Sequence, residues 1–167
     1  MLEVIKTYLL EKLEEKRLEI VPNIPAEYLN IIAESVNASL NIINRSDAMY
    51  HDVEHTCLVT LCGQEVFSGK KILEGNLNAS DWLHYTISLL FHDIGYVKNI
   101  LSSDNDSFQT INTNGDQVKL ERGQTDASLT PYHVERGKMY LNERSWSDCI
   151  DKNKLIELVS FTEFPPP

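Results

Sequence analysis

The alternation of apolar and polar positions along the chain reads as helices nearly throughout. Leu2, Ile5, Leu9, Leu10 and Leu13 recur at helical spacing, opposite a Glu/Lys-rich face, and predict a first helix over about 1–17. Pro22 and Pro25 interrupt it, and Pro25 suits the opening turn of a second helix that runs to about Ile43, with Tyr28, Ile31, Ile32, Val36 and Leu40 on one stripe. Ser46 and Asp47 are good capping residues for a third helix, expected to carry Tyr50 to about Phe67 and to end near Ser68-Gly69. Ser80-Asp81 caps a fourth segment, Trp82 to Val97, that is apolar on nearly every side. Such a run is too long for an ordinary strand and predicts a buried, central helix, closed by Gly95. Residues 101–127 are polar and aperiodic, and are expected to form a lid, a binding loop or an unstructured stretch. Thr130-Pro131 then reads as the start of a fifth helix to about Asn142, and Asp151 as the start of a sixth, carrying Leu155, Ile156, Leu158, Val159 and Phe161 up to Phe164-Pro165-Pro166-Pro167. No persuasive strand is visible. The expected fold class is all-α, a compact bundle of about six helices. It is expected as a single domain over 1–167, with a core over about 45–164 on which the helices of 1–43 pack.

Composition adds constraints. The 167 residues are 42% apolar, carry no run long enough for a membrane span, and open without the uncharged core of a signal peptide, so a cytoplasmic location without membrane association is expected. The net charge of −10 argues against a nucleic-acid polymer as partner. A small phosphorylated substrate stays open, because a bound metal reverses the local sign. The three cysteines, Cys57, Cys62 and Cys149, form no disulfide framework; Cys57 and Cys62 read as small apolar residues, with a thiolate ligand as the alternative. Apolar positions left exposed on the first helix would suit a homodimer.

The chemistry is concentrated in histidine. Three of the five histidines fall in two clusters, Tyr50-His51-Asp52-Val53-Glu54-His55 and Phe91-His92-Asp93-Ile94-Gly95-Tyr96. His51 and His55, four apart, would share one helix face. If the third and fourth helices pack side by side, His55, His92 and Asp93 meet, and two imidazoles with a carboxylate form a site for a divalent cation with open positions. Glu163 is the candidate fourth ligand, ahead of Asp126 and Asp148. His51 is the candidate proton donor to a leaving oxygen. Asp93 carries both a metal and a catalytic role, and His133 is a candidate for substrate phosphate or a second metal. His84, on the buried helix, reads as a satisfied core histidine. His51-Asp52-Val53-Glu54-His55 also fits the H-x-x-E-H zinc-peptidase pattern, which leaves His92-Asp93 unexplained.

His55, the His92-Asp93 pair and a late carboxylate, over residues 45–164, resemble the HD superfamily of metal-dependent phosphohydrolases. Tyr50-His51 and His55-Thr56 are similar in particular to its cyclic-nucleotide phosphodiesterase branch. The resemblance implies an α-helical core and one or two divalent ions (Mn, Fe, Mg, Co or Zn) on His55, His92, Asp93 and a distal carboxylate. It also implies His51 as proton donor and hydrolysis of a phosphomonoester or phosphodiester, on a nucleotide. Two departures stand out: the distal ligand of that superfamily is normally Asp where this chain has Glu163, and the helices that build the phosphodiesterase base pocket have no counterpart. Cyclic-nucleotide specificity is therefore not implied. A non-catalytic sensor or binding module on the same fold is the alternative.

Overall fold

In a computed structural model, which describes residues 1–163, six helices pack around one core. They are α1 (Leu2–Ile20), α2 (Ala26–Ile43), α3 (Val53–Glu74), α4 (Ala79–Phe91), α5 (His133–Glu143) and α6 (Lys152–Ser160). The all-α reading holds. α4 is the central rod: it packs on α2, α3 and α6, and Trp82, Leu83, Ile87, Leu90 and Phe91 are all at most 1% exposed. α1 lays Leu9 and Leu13 into the same core and packs on α2 and α3. No helix among the described residues is long and apolar enough to cross a membrane.

Several boundaries differ from the sequence reading, each for a local reason. α3 begins at Val53, not near Tyr50: Asp52 is the cap, its Oδ1 accepting the His55 backbone N–H at 2.9 Å. Ser46 and Asp47 are otherwise engaged, Ser46 with the Ala48 backbone N–H and Asp47 with the Asp126 backbone N–H. Nothing stops α3 at Ser68-Gly69; it runs on to Gly75, whose φ of 70° supplies the left-handed close. α4 opens at Asn78 with a capping box to Asp81 and ends at Phe91, well short of Val97. The apolar run continues because the chain stays buried, not because it stays helical. His92 and Asp93 form a turn into a short 3-10 helix, Ile94–Tyr96. Gly95 is therefore no helix cap. A Cβ there would lie 1.8 Å from the His133 carbonyl oxygen, so its role is to let this turn press against the start of α5.

The polar stretch contains a small antiparallel hairpin, β1 (Phe108–Thr110) with β2 (Gln117–Lys119), in register Phe108 to Lys119, Gln109 to Val118 and Thr110 to Gln117. It is anchored from outside. The fully buried Arg136 of α5 pairs with Asp104 at 3.0 Å and donates to the Thr110, Gly95 and Val97 carbonyls. Thr130 and Pro131 lie within a 3-10 helix, Asp126–Tyr132, and α5 starts only at His133. Asp151 caps α6 as expected. Phe164 to Pro167, expected to end that helix, lie outside the described residues. Cys57 is half-buried against the core, and burial pushes its thiol up to about 11; Cys62 is exposed. Neither lines the histidine cavity.

Candidate metal centre

Three element ends meet at one point. The start of α3 contributes His55, the end of α4 contributes His92 and Asp93, and His51 comes from the segment just before Asp52. His51 is thus off the helix, not one turn below His55 on its face, yet it reaches the same place. Asp93 Oδ2 lies 2.7 Å from His51 Nδ1, 3.0 Å from His92 Nε2 and 3.1 Å from His55 Nε2. His55 Nε2 and His92 Nε2 are 3.3 Å apart. Donor atoms of His51, His55 and Asp93 all fall within 4.8 Å of one another. Burial is graded: the His51 side chain is 27% exposed, His55 16%, His92 9% and Asp93 6%.

Hydrogen bonding fixes how His92 meets this cluster. Its Nδ1 is 2.7 Å from the Leu89 carbonyl, which can only accept, so Nδ1 carries a proton. In the neutral ring Nε2 is then a bare lone pair, aimed at Asp93 Oδ2. Two acceptors 3.0 Å apart repel unless a positive charge lies between them. Either His92 takes a second proton or a cation is shared. Burial opposes the charged form of His92, but the Asp93 carboxylate outweighs it and raises the pKa. Burial likewise works against the Asp93 carboxylate, and the imidazoles of His92 and His51 overcome it, holding Asp93 down to about 2. Burial lowers the pKa of His55. An ionised carboxylate beside the His92 imidazole in this tautomer, with the Leu89 carbonyl behind the ring to orient it and His55 Nε2 alongside, fits a divalent cation.

The cluster forms one wall of a cavity of about 630 Å³. The other walls come from Tyr50, Tyr96, the 3-10 helix before α5, the first turn of α5 and the turn after α6. Tyr96 is sandwiched between His51, with centroids 3.9 Å apart, and His133, at 4.3 Å. His133 Nδ1 donates to the Thr130 carbonyl at 2.7 Å, and burial lowers its pKa.

The remaining candidates separate cleanly. Glu163 lies in the exposed turn beyond α6, not on that helix; it reaches the cavity wall but is not in the group of clustered donor atoms, where His51 stands instead. Asp126 is buried against Lys98 at 3.2 Å, and Asp148 lines a separate groove with Arg144 and Trp146. His84 is a satisfied core residue: Nδ1 donates to the Ser80 carbonyl and Nε2 accepts the Asp151 backbone N–H at 2.8 Å. Glu54, the base that a zinc peptidase would need, lines a different groove with Asp52 and Leu58. No residue of 101–127 lines the cavity, so that stretch is not its lid. Sequence reasoning missed Tyr96 and Glu135 as wall residues. Tyr96 sits one position past Gly95 and could have been placed by its attachment to the His92-Asp93 turn; Glu135 carries no such signal.

A family model described as Npun_R2479-like matches residues 1–167, a description that names no activity. No curated protein and no solved structure matches.

Proposed function

We propose that this protein, which belongs to the Npun_R2479-like family, is a metal-dependent phosphohydrolase acting on a small phosphoester of the nucleotide class. One observation carries the reading: the convergence of His55, His92 and Asp93, with the Leu89 carbonyl holding His92 so that Nε2 offers a lone pair to the shared point. His55, His92 and Asp93 would hold the ion. When bound, a divalent cation there neutralises phosphoryl oxygens and makes hydroxide available near neutral pH.

The chain's own groups supply the rest. The first turns of α3 and α5 line the cavity with His55 and His133; the α3 N-terminus is already capped by the Asp52 carboxylate, so the ion is the main attraction for an anion. His51 is tied through Nδ1 to Asp93, which orients the ring, and its Nε2 has no protein partner among the described residues. A proton on that Nε2 is placed for a leaving oxygen. His133, neutral with Nδ1 on a carbonyl, presents an accepting Nε2. It therefore suits a substrate N–H or O–H, or a second cation, better than the phosphate contact expected from sequence.

The test is metal analysis of the purified protein beside His55→Ala, followed by turnover on a panel of phosphomonoesters and phosphodiesters. About one or more equivalents of divalent metal in the wild type, its loss in His55→Ala, and metal-dependent phosphoester hydrolysis are expected. A metal-loaded protein inert across the panel would refute hydrolysis and favour a binding module. A protein that takes up no divalent metal would refute the centre itself.

A further inference from the structure

The charge around the cavity limits how much phosphate it can hold. No Lys or Arg lines it among the described residues, and residues 164–167 contain neither. Its ionised side chains are acids: Asp93 in the cluster, and Glu135 and Glu163 on the wall. Lys138 pairs with Glu135 but lines the neighbouring groove. Glu163 has no ion-pair partner among the described residues. With Lys138 offsetting Glu135, Asp93 and Glu163 together balance the charge of one divalent cation and leave no surplus positive charge, and the chain as a whole carries −10.

Resting on the phosphohydrolase reading, we infer that this site is selective for substrates with a single phosphate group, monoester or diester, and discriminates against di- and triphosphates. The ion provides positive potential at one locus, and the α3 N-terminus adds little because the Asp52 carboxylate already caps it. A second and third phosphate must extend along a wall that offers Glu163 and no Lys or Arg among the described residues, the nearby Lys138 being already engaged by Glu135. In sites that take triphosphates, Lys and Arg clamps do that work. Here the exposed ring of Tyr50 is suited to the uncharged part of the ester, both faces of Tyr96 being covered by His51 and His133. Glu163 is the specificity-determining residue, because it is the wall carboxylate that no lysine offsets.

The experiment compares inorganic phosphate, pyrophosphate and tripolyphosphate by calorimetric binding to manganese-loaded protein at fixed free manganese, alongside turnover of AMP, ADP and ATP. Each added phosphate is expected to weaken binding and kcat/KM by about tenfold at low salt, and less as salt screens the wall. Glu163→Lys is expected to keep its metal and to narrow the gap, raising pyrophosphate and tripolyphosphate affinity more than that of phosphate. Tripolyphosphate bound as tightly as phosphate by the wild type, or an unchanged ratio in Glu163→Lys, overturns the inference while leaving the hydrolase reading in place. Loss of metal in Glu163→Lys also overturns it, since Glu163 would then be a ligand. If none of the anions binds and no ester is turned over, the hydrolase reading falls and the inference falls with it.

Discussion

Gly95 and Gly137 face each other across the contact between the His92-Asp93 turn and α5, and they should respond to alanine in opposite ways. At Gly95 an added Cβ would stand 1.8 Å from the His133 carbonyl oxygen and 2.7 Å from the Gly137 nitrogen. Both are backbone atoms, so no side-chain rotation relieves the clash, and the turn or α5 must retreat by roughly 1 Å. That retreat also strains the bond from the buried Arg136 Nε to the Gly95 carbonyl at 2.9 Å. Overpacking of this kind costs about 3 kcal/mol or more, a fall in Tm of about 6–12 °C for a chain of this size. At Gly137 the nearest atoms to a new Cβ are Ile94 Cγ2 at 3.7 Å, Val159 Cγ1 at 3.8 Å and the Gly95 nitrogen at 3.9 Å. These are ordinary contacts, and replacing a helix glycine gains about 0.5–1 kcal/mol. Gly137→Ala should therefore be neutral or stabilising. The assay is urea denaturation of both variants with metal affinity measured in parallel; on the proposed metal reading, Gly95→Ala should also bind metal more weakly, because the displaced turn carries two of the proposed ligands. A Gly95→Ala protein that melts with the wild type, or a Gly137→Ala protein damaged just as badly, would refute the close approach as the reason for glycine.

Two further outcomes follow from buried and capped charges. Arg136→Met should cost about 3 kcal/mol, because it removes the counter-charge of the buried Asp104 side chain and leaves it only the Ile100, Leu101 and Thr110 backbone N–H groups; the hydrogen-exchange protection of Thr110 and its neighbours should fall first, and a loss under about 1 kcal/mol would contradict the assignment. At Asp81 burial opposes the charge, but Lys154 at 2.7 Å and the Asn78 backbone N–H at 2.9 Å outweigh it and lower the pKa. A carboxyl lowered on folding contributes stability that is present above its unfolded pKa of about 4 and is lost as pH falls through the folded value. Asp81→Asn should thus cost about 1 kcal/mol near neutral pH and progressively less below about pH 4. Urea midpoints across that range check it, and a penalty independent of pH would count against the reasoning.

What the sequence made legible was whatever rests on local periodicity. Leu9 and Leu13 of the α1 stripe and Ile31, Ile32, Val36 and Leu40 of the α2 stripe are buried, with Leu2, Ile5, Leu10 and Tyr28 partly buried against them, α4 is buried nearly all round, and the meeting of His55 with His92 needed only that α3 and α4 pack together, as they do. What stayed hidden depends on partners distant in the chain. The strands Phe108–Thr110 and Gln117–Lys119 are three residues each and show no alternation worth reading. They stand because Arg136, some thirty positions on, gathers the Thr110 carbonyl and Asp104 around itself. The overlong α4 is the same failure in another form: burial was taken for helicity, although Phe91 to Val97 are buried through a turn that Gly95 lets against α5.

His51 joins the histidine cluster by a different geometry from the one its spacing suggested. The i,i+4 spacing to His55 suggested one helix face, but Asp52 between them is the better cap, and it takes the helix start for itself. Capping turns the chain at Asp52, so His51 approaches Asp93 from outside the helix and presents Nδ1 at 2.7 Å. On a continuous helix the ring would have followed the His55 side chain, one turn away along the same face. Off the helix, it approaches Asp93 separately from His55 and stacks on Tyr96. One ring nitrogen is thereby spent on the carboxylate and the other left without a protein partner among the described residues, the division that the proposed proton-donor role requires. The capping residue between the two histidines thus gives each its own approach to Asp93, and a helix through both would have set them on one face.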